Sequence, residues 1–185
     1  MQLNVVDKRR RKPWRRLFIN RKPRRWFNMI IRRATQDDFP VIQKLRIQLF
    51  DLLAEWMPDT FRSVPYPDGL LAQVLEDERQ DLFVAVIDER VVGYALVRDE
   101  TVDTQTDPAL LPMRYTYLLD FCVDSAHRGR GIGRRLFDQV CVYAREHQAA
   151  CIELSVAAAN TRSIDLYKRL GFTETIHRMR CPLDS

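Results

Sequence analysis

The run Arg128-Gly129-Arg130-Gly131-Ile132-Gly133 lies between an apolar, strand-like segment, Tyr117 to Val123, and a long amphipathic helix pattern. It restricts the fold more than any other stretch of the chain. A strand that ends in a glycine-rich turn and then opens a helix points several backbone N–H groups one way, and the positive end of the helix dipole points with them. Glycine lets the backbone approach a ligand closely and take φ angles closed to other residues. Such a turn receives a phosphate or diphosphate on its main-chain amides.

The rest of the pattern builds a layer around that turn. Met29 to Arg33 reads as a short strand. Asp37 or Asp38 caps a helix with Val41, Leu45, Leu49, Leu52 and Leu53 at three-to-four spacing. A turn with Pro58, Pro65 and Pro67 leads to a shorter helix around Leu70 to Glu78. Asp81 to Ile87 and Val91 to Arg98 read as a hairpin about Asp88-Glu89-Arg90. A polar, acidic loop over residues 99–113 precedes the central strand, Tyr115 to Val123. The helix from Gly131 to about Gln148 carries Ile132, Leu136, Val140, Ala144 and His147 on one face. Cys151 to Ala157 reads as a strand, Thr161 to Leu170 as a helix closed by Gly171, and Thr173 to Pro182 as a last strand. The order β-α-α-β-β-β-α-β-α-β predicts an α/β fold of the mixed kind, a sheet flanked by helices.

The net charge of +5 on 185 residues conceals two regimes. Met1 to Arg33 holds thirteen Lys and Arg against the single acid Asp7, a net of +12, while Ala34 to Ser185 holds seventeen against twenty-four, a net of −7. Residues 1–28 therefore read as a basic N-terminal extension, and 29–185 as the domain. Clustered cations and two Lys-Pro steps disfavour regular structure in the extension. It is read as a disordered tail without a specific partner, or as sequence translated from an early start codon. With Trp14, Phe18, Trp26 and Phe27 interleaved, it also suits weak contact with RNA or an anionic surface. No apolar run reaches the length of a membrane span. Cys122, Cys141, Cys151 and Cys181 lack any CxxC pairing, which disfavours zinc and a disulfide framework and fits core thiols in a reducing cytosol. A cytoplasmic location without a metal is the expectation.

Two spaced motifs resemble the GNAT superfamily of acyl-CoA-dependent N-acetyltransferases. That family's phosphate signature is Gln or Arg, two residues, Gly, one residue, then Gly or Ala; Arg128, Gly131 and Gly133 stand in that register. Its second motif is an Asn before a helix that bears a Tyr and ends Gly-Phe, here Asn160, Tyr167, Gly171 and Phe172. The dinucleotide pattern GxGxxG is not met, and no Walker lysine is present. The resemblance implies a mostly antiparallel sheet and transfer of an acetyl group from acetyl-CoA, as co-substrate, to a primary amine by direct attack in a ternary complex.

On that resemblance, the amides of Gly129, Arg130, Gly131, Ile132, Gly133 and Arg134 receive the diphosphate. The side chains of Arg128, Arg130, Arg134 and Arg135 either add positive charge or face solvent. Phe121, Cys122 and Val123 match the strand that pairs with the pantetheine arm, and one of their N–H groups polarises the thioester carbonyl. Asn160 holds the arm or caps its helix. Tyr167 protonates the leaving thiolate or packs as a core tyrosine with Ile164 and Leu170. Asp120 is the candidate general base, with structural pairing to a neighbouring backbone N–H as its rival; the glutamate some members carry earlier in this strand aligns with Tyr117. Cys122 lacks a companion His for a nucleophilic role, and His127 reads as a surface residue. Acids at Asp51, Glu55 and Asp59, and at Asp99, Glu100, Asp103 and Asp107, either draw a cationic acceptor or are solvated surface. Acceptors left open are a small amine, a polyamine, an aminoglycoside-like compound, a lysine and a protein N-terminus. A homodimer also stays open. The reading from another class is an acyl-CoA sensor without turnover.

Overall fold

The computed structural model describes residues 28–105, 108–181 and 183. Residues 1–27 of the expected extension, and Asp107 of the acidic loop, lie outside them. The described residues fall into two compact units that divide between Ala159 and Asn160.

The larger unit is a five-stranded sheet in the order β1-β2-β3-β4-β5. Its strands are β1 (Met29–Arg33), β2 (Gln80–Ile87), β3 (Arg90–Thr101), β4 (Arg114–Val123) and β5 (Ile152–Glu153). The first four pair antiparallel, and β4 pairs with β5 in parallel. The hairpin turns on Asp88 and Glu89, both left-handed at φ 47° and 60°. That is the twist a two-residue loop needs to match its strands.

One face of the sheet packs on α1 (Phe39–Trp56) and α2 (Leu70–Glu76). Leu82, Val84, Tyr94, Leu96 and Cys122 from the strands meet Ile42, Leu45, Leu71 and Val74 there. The entry to α1 is held by Arg32, whose guanidinium donates to both Asp38 oxygens at 2.7 and 2.9 Å, while Thr35 N–H donates to Oδ2 at 2.8 Å. These bonds favour the anion, the Arg32 hydrogen bond most of all, and hold the Asp38 carboxyl below its usual range. The other face carries α3 (Ile132–Glu146). Ile132, Leu136, Val140 and Ala144 are buried as their spacing predicts, joined by Phe137 and Tyr143. The Tyr143 ring meets Phe83 edge-on at 6.1 Å.

The smaller unit holds α4 (Thr161–Leu170), stopped by Gly171. The expected last strand, Thr173 to Pro182, is not formed among the described residues, and the β5 segment is shorter than Cys151 to Ala157. The first departure has a plain cause. Ile176 and Met179 are three residues apart, so an extended chain sends them to opposite faces, and neither face gains an apolar row. Both are more than four-fifths exposed. The second follows from the course of β4, described next.

Candidate active site

The site begins where β4 leaves its neighbour. Its pairing with β5 covers Thr116 to Ile152 and Tyr117 to Glu153 and then stops. From Leu118 to Val123, no described strand pairs with β4 on that side. A bulge causes the departure. Leu96 pairs with Asp120 and Val97 with Leu118, so Leu119 is an extra residue. An extra residue bends its strand and raises the local twist. The bulge brings Leu119 to the α1 side with its neighbour Asp120, against the core there. At the break the Tyr117 hydroxyl and Ser155 Oγ share a hydrogen bond of 2.7 Å.

The open edge runs directly into the glycine turn. Asp124 N–H donates to Val92 O at 2.9 Å, and the Asp124 carboxylate accepts from Ala126 N–H at 3.2 Å and meets His127 Nδ1 at 3.0 Å. Burial works against the Asp124 charge, yet these donors hold its carboxyl below the usual range. His127 is thus half-buried and bonded inside the turn rather than a plain surface residue. Arg128 Nε donates to Val123 O at 2.9 Å, so this side chain is bound to the end of the strand. Gly129 and Gly131 take φ of +77° and +83°. A Cβ built on either meets nothing within 4 Å, which leaves open space over the turn. Arg135 N–H is the donor that closes on Gly131 O, at 3.2 Å. The first amides of a helix have no intrahelical acceptor, and here they belong to Ile132, Gly133 and Arg134. Gly133 lies over Phe121, its built Cβ 3.6 Å from the ring. Arg134 pairs with Asp138 at 3.0 Å, and Arg130 and Arg135 are exposed. Arg128 and Arg134 are thus engaged within the chain, while the amides of Ile132, Gly133 and Arg134 lack an intrahelical acceptor.

Beneath the open edge is a cluster that patterning did not foresee. Asp120 Oδ2 accepts from Arg46 Nη1 at 3.0 Å, from Tyr94 OH at 3.0 Å and from Tyr66 OH. The Asp120 side chain is 11% exposed and that of Arg46 15%. The guanidinium lies 4.0 Å from the centroid of the Phe50 ring and 3.9 Å from that of Tyr66. Burial, and then the Asp120 charge, push both tyrosine hydroxyls well above their ordinary range, so both remain donors. Asp120 is thus paired, with side chains rather than a backbone N–H as donors. One signal was readable beforehand: Arg46 sits among Ile42, Leu45 and Leu49, on the apolar face of its helix.

Cys122 is buried, and burial pushes its thiol up to about 11 against the pull of Arg128. Its Sγ donates to Leu45 O at 3.4 Å. Two of the expected acids are paired: Glu100 with Arg98 at 2.5 Å, and buried Asp99 with Arg114 at 4.0 Å. Asp51, Glu55, Asp59 and Asp103 are exposed. Asn160 and Tyr167 belong to the smaller unit. There Asn160 Oδ1 accepts from Ser163 N–H at 3.1 Å, the capping bond of its helix, and the Tyr167 ring meets Phe172 edge-on at 5.5 Å. Among the described residues, no group of three or more His, Cys, Asp or Glu is placed to hold a metal ion, and no helix is long and apolar enough to cross a membrane.

The sequence matches the Acetyltransferase (GNAT) family over residues 46–172, a span that includes both motifs and the open edge of β4. The chain belongs to the Acetyltransferase (GNAT) family. Known N-acetyltransferases resemble it over more than half of its length. It is 30% identical over 149 residues to the L-amino acid N-acetyltransferase of Escherichia coli, covering 78% of this chain and 82% of that one. It is 29% identical over 110 residues to an N-alpha-acetyltransferase of Sulfurisphaera tokodaii, covering 59% of this chain. The chain spans 66% of that relative's length, and 60% of an uncharacterised N-acetyltransferase of Methanocaldococcus jannaschii, to which it is 24% identical. A crystal structure of a mutant protein from Bacillus halodurans superposes with a TM-score of 0.78 at 30% identity, over 83% of this chain and 99% of that one. The mixed, mostly antiparallel sheet with flanking helices is thus the GNAT fold that the two motifs implied.

Proposed function

We propose that the chain transfers an acetyl group from acetyl-CoA to a primary amine, by direct attack within a ternary complex. The observation that carries this reading is the continuous track of backbone from the part of β4 beyond its last β5 pair, through the glycine turn, to the first amides of α3. An extended, amide-containing arm that ends in a diphosphate matches that track, the arm as an added strand and the diphosphate on the helix N-terminus. The open space over Gly129 and Gly131 gives the anion room. Acetyl-CoA, when bound, supplies a thioester carbonyl and a thiolate leaving group.

The chain's own residues do the rest. The amides of Gly129 to Arg134 hold the diphosphate. Main-chain groups of Phe121, Cys122 and Val123 hold the arm, and one of their N–H groups stabilises charge that develops on the carbonyl oxygen, worth about 3 kcal/mol in comparable sites. Tyr167 is the proton donor to the thiolate, on its spacing from Asn160 and Gly171. Asn160 serves the arm beyond its capping bond.

The acceptor we place first is an α-amine, of an amino acid or a peptide N-terminus. Two relatives carry that class in their names. Proton chemistry agrees for the peptide N-terminus. A peptide α-amine with a pKa of about 7.7–8.0 is neutral in roughly a tenth of molecules at pH 7, against roughly one in 2,500 for a lysine side chain near 10.4. It therefore asks little of a base, and the one carboxylate within β4 already holds three donors. The test is thiol release from acetyl-CoA against L-amino acids, short peptides with free or blocked N-termini, polyamines and aminoglycosides. Release with free but not blocked α-amines is expected. Release with side-chain amines alone refutes the acceptor class. Tight acetyl-CoA binding without release in any mixture refutes transfer and points to a sensor.

A further inference from the structure

We infer that Arg46, Tyr66 and Tyr94 act through Asp120 as a positioning cluster, which holds the β4 bulge and keeps the strand's open edge in shape to receive acetyl-CoA. One oxygen, Asp120 Oδ2, is the junction. It joins β4 to α1 through Arg46, to the segment between α1 and α2 through Tyr66, and to β3 through Tyr94. The junction sits at the bulge, one residue past the extra Leu119 and three past the last β4–β5 pair, Tyr117 to Glu153. A second tie lies next to it, Cys122 Sγ to the carbonyl of Leu45, the residue that precedes Arg46.

Each property of the cluster suits holding rather than proton transfer. Oδ2 already accepts from a guanidinium and two hydroxyls, so this oxygen has no free lone pair on which to take a proton. The guanidinium is itself fixed, stacked between Phe50 and Tyr66. A buried carboxylate whose donors come from separate elements keeps those elements in one arrangement, because removing a donor leaves an under-solvated charge. A bulge that lost this anchor is free to relax toward a regular ladder, and a regular β4 would offer its edge to β5 instead of to a ligand.

This inference rests on the acetyl-CoA reading above, and its test separates the two. Asp120→Asn, Arg46→Lys and Tyr66→Phe are compared with the parent protein by calorimetric titration with acetyl-CoA, which needs no acceptor, and by kcat across pH with an L-amino acid or peptide acceptor. Positioning predicts acetyl-CoA affinity weakened about tenfold in each variant, the scale of one charge-assisted hydrogen bond. It also predicts that the low-pH limb of kcat stays where it is in Asp120→Asn. Parent-like affinity in Asp120→Asn, with about a thousandfold loss of kcat and disappearance of that limb, makes Asp120 the base and overturns the inference. Parent-like affinity in all three variants overturns it as well. Should Asp120→Asn fail to fold by near-ultraviolet circular dichroism, Tyr66→Phe and Tyr94→Phe decide, since both keep the carboxylate: weakened affinity supports positioning, and unchanged affinity in both refutes it. If the parent binds acetyl-CoA but acetylates nothing, the transfer reading fails while calorimetry still decides this one.

Discussion

Replacing Gly131 by alanine separates the two things that residue does. Its φ of +83° lies where an L-residue is strained, and the added methyl would touch no protein atom within 4 Å. The fold therefore bears backbone strain alone, about 1–2 kcal/mol for one left-handed residue. At roughly 2–4 °C per kcal/mol for a chain of this length, the midpoint of thermal unfolding should fall by about 2–8 °C. The same methyl occupies the open space assigned to the diphosphate, so acetyl-CoA affinity should fall well beyond tenfold. Gly133→Ala is the control. Its built Cβ makes ordinary contacts, 3.6 Å from Phe121 and 3.9 Å from Val123, and points at the strand rather than over the turn. It should stabilise α3 by up to about 1 kcal/mol, on helix propensity, and leave affinity within about twofold. Differential scanning calorimetry and isothermal titration report the two quantities. If Gly131→Ala binds acetyl-CoA as the parent does while unfolding earlier, the turn is a structural corner and the diphosphate lies elsewhere.

Tyr167→Phe should lower kcat by about 100-fold or more and leave acetyl-CoA affinity unchanged, the mark of a proton donor; an unchanged rate in stopped-flow thiol detection removes that role. Asp88→Asn with Glu89→Gly should raise stability by about 1 kcal/mol in urea titration, because both positions are left-handed and this pair suits the turn. Asp38 titrates lower in the folded chain than in the unfolded one, so its contribution is complete above about pH 4 and is lost as pH falls through the folded value. Arg32→Gln, which removes the main cause, should flatten the fall in urea midpoint between about pH 4 and 2; an equal slope in both proteins refutes the assignment.

What was legible beforehand was local. Glycine placement marked the turn and the stop after α4, and the spacing of Ile132, Leu136, Val140 and Ala144 marked the buried face of α3. The Asp120 cluster was not legible, for a physical reason. Its donors stand 74, 54 and 26 residues away in the chain, and they converge because an extra residue at Leu119 bends β4 onto the α1 side. Periodicity assigns residues to faces but does not register an insertion that shifts one. The bond from Arg128 to Val123 O was hidden in the same way, since a motif names the arginine but not the atom it reaches. Residues 173–181 show the converse: residue types suited to a strand, without the alternation that would give it a face.

The bond that Arg128 makes to the strand end bears on how the turn would capture the anion proposed for it. Together with the Asp124–His127 pair, it sets the loop's shape from inside the protein, before anything arrives. A loop already in its receiving form surrenders little conformational freedom on capture, so more of the contact energy survives as affinity. Cutting that internal strap should therefore slow capture and weaken it together, although the side chain involved need never touch the guest.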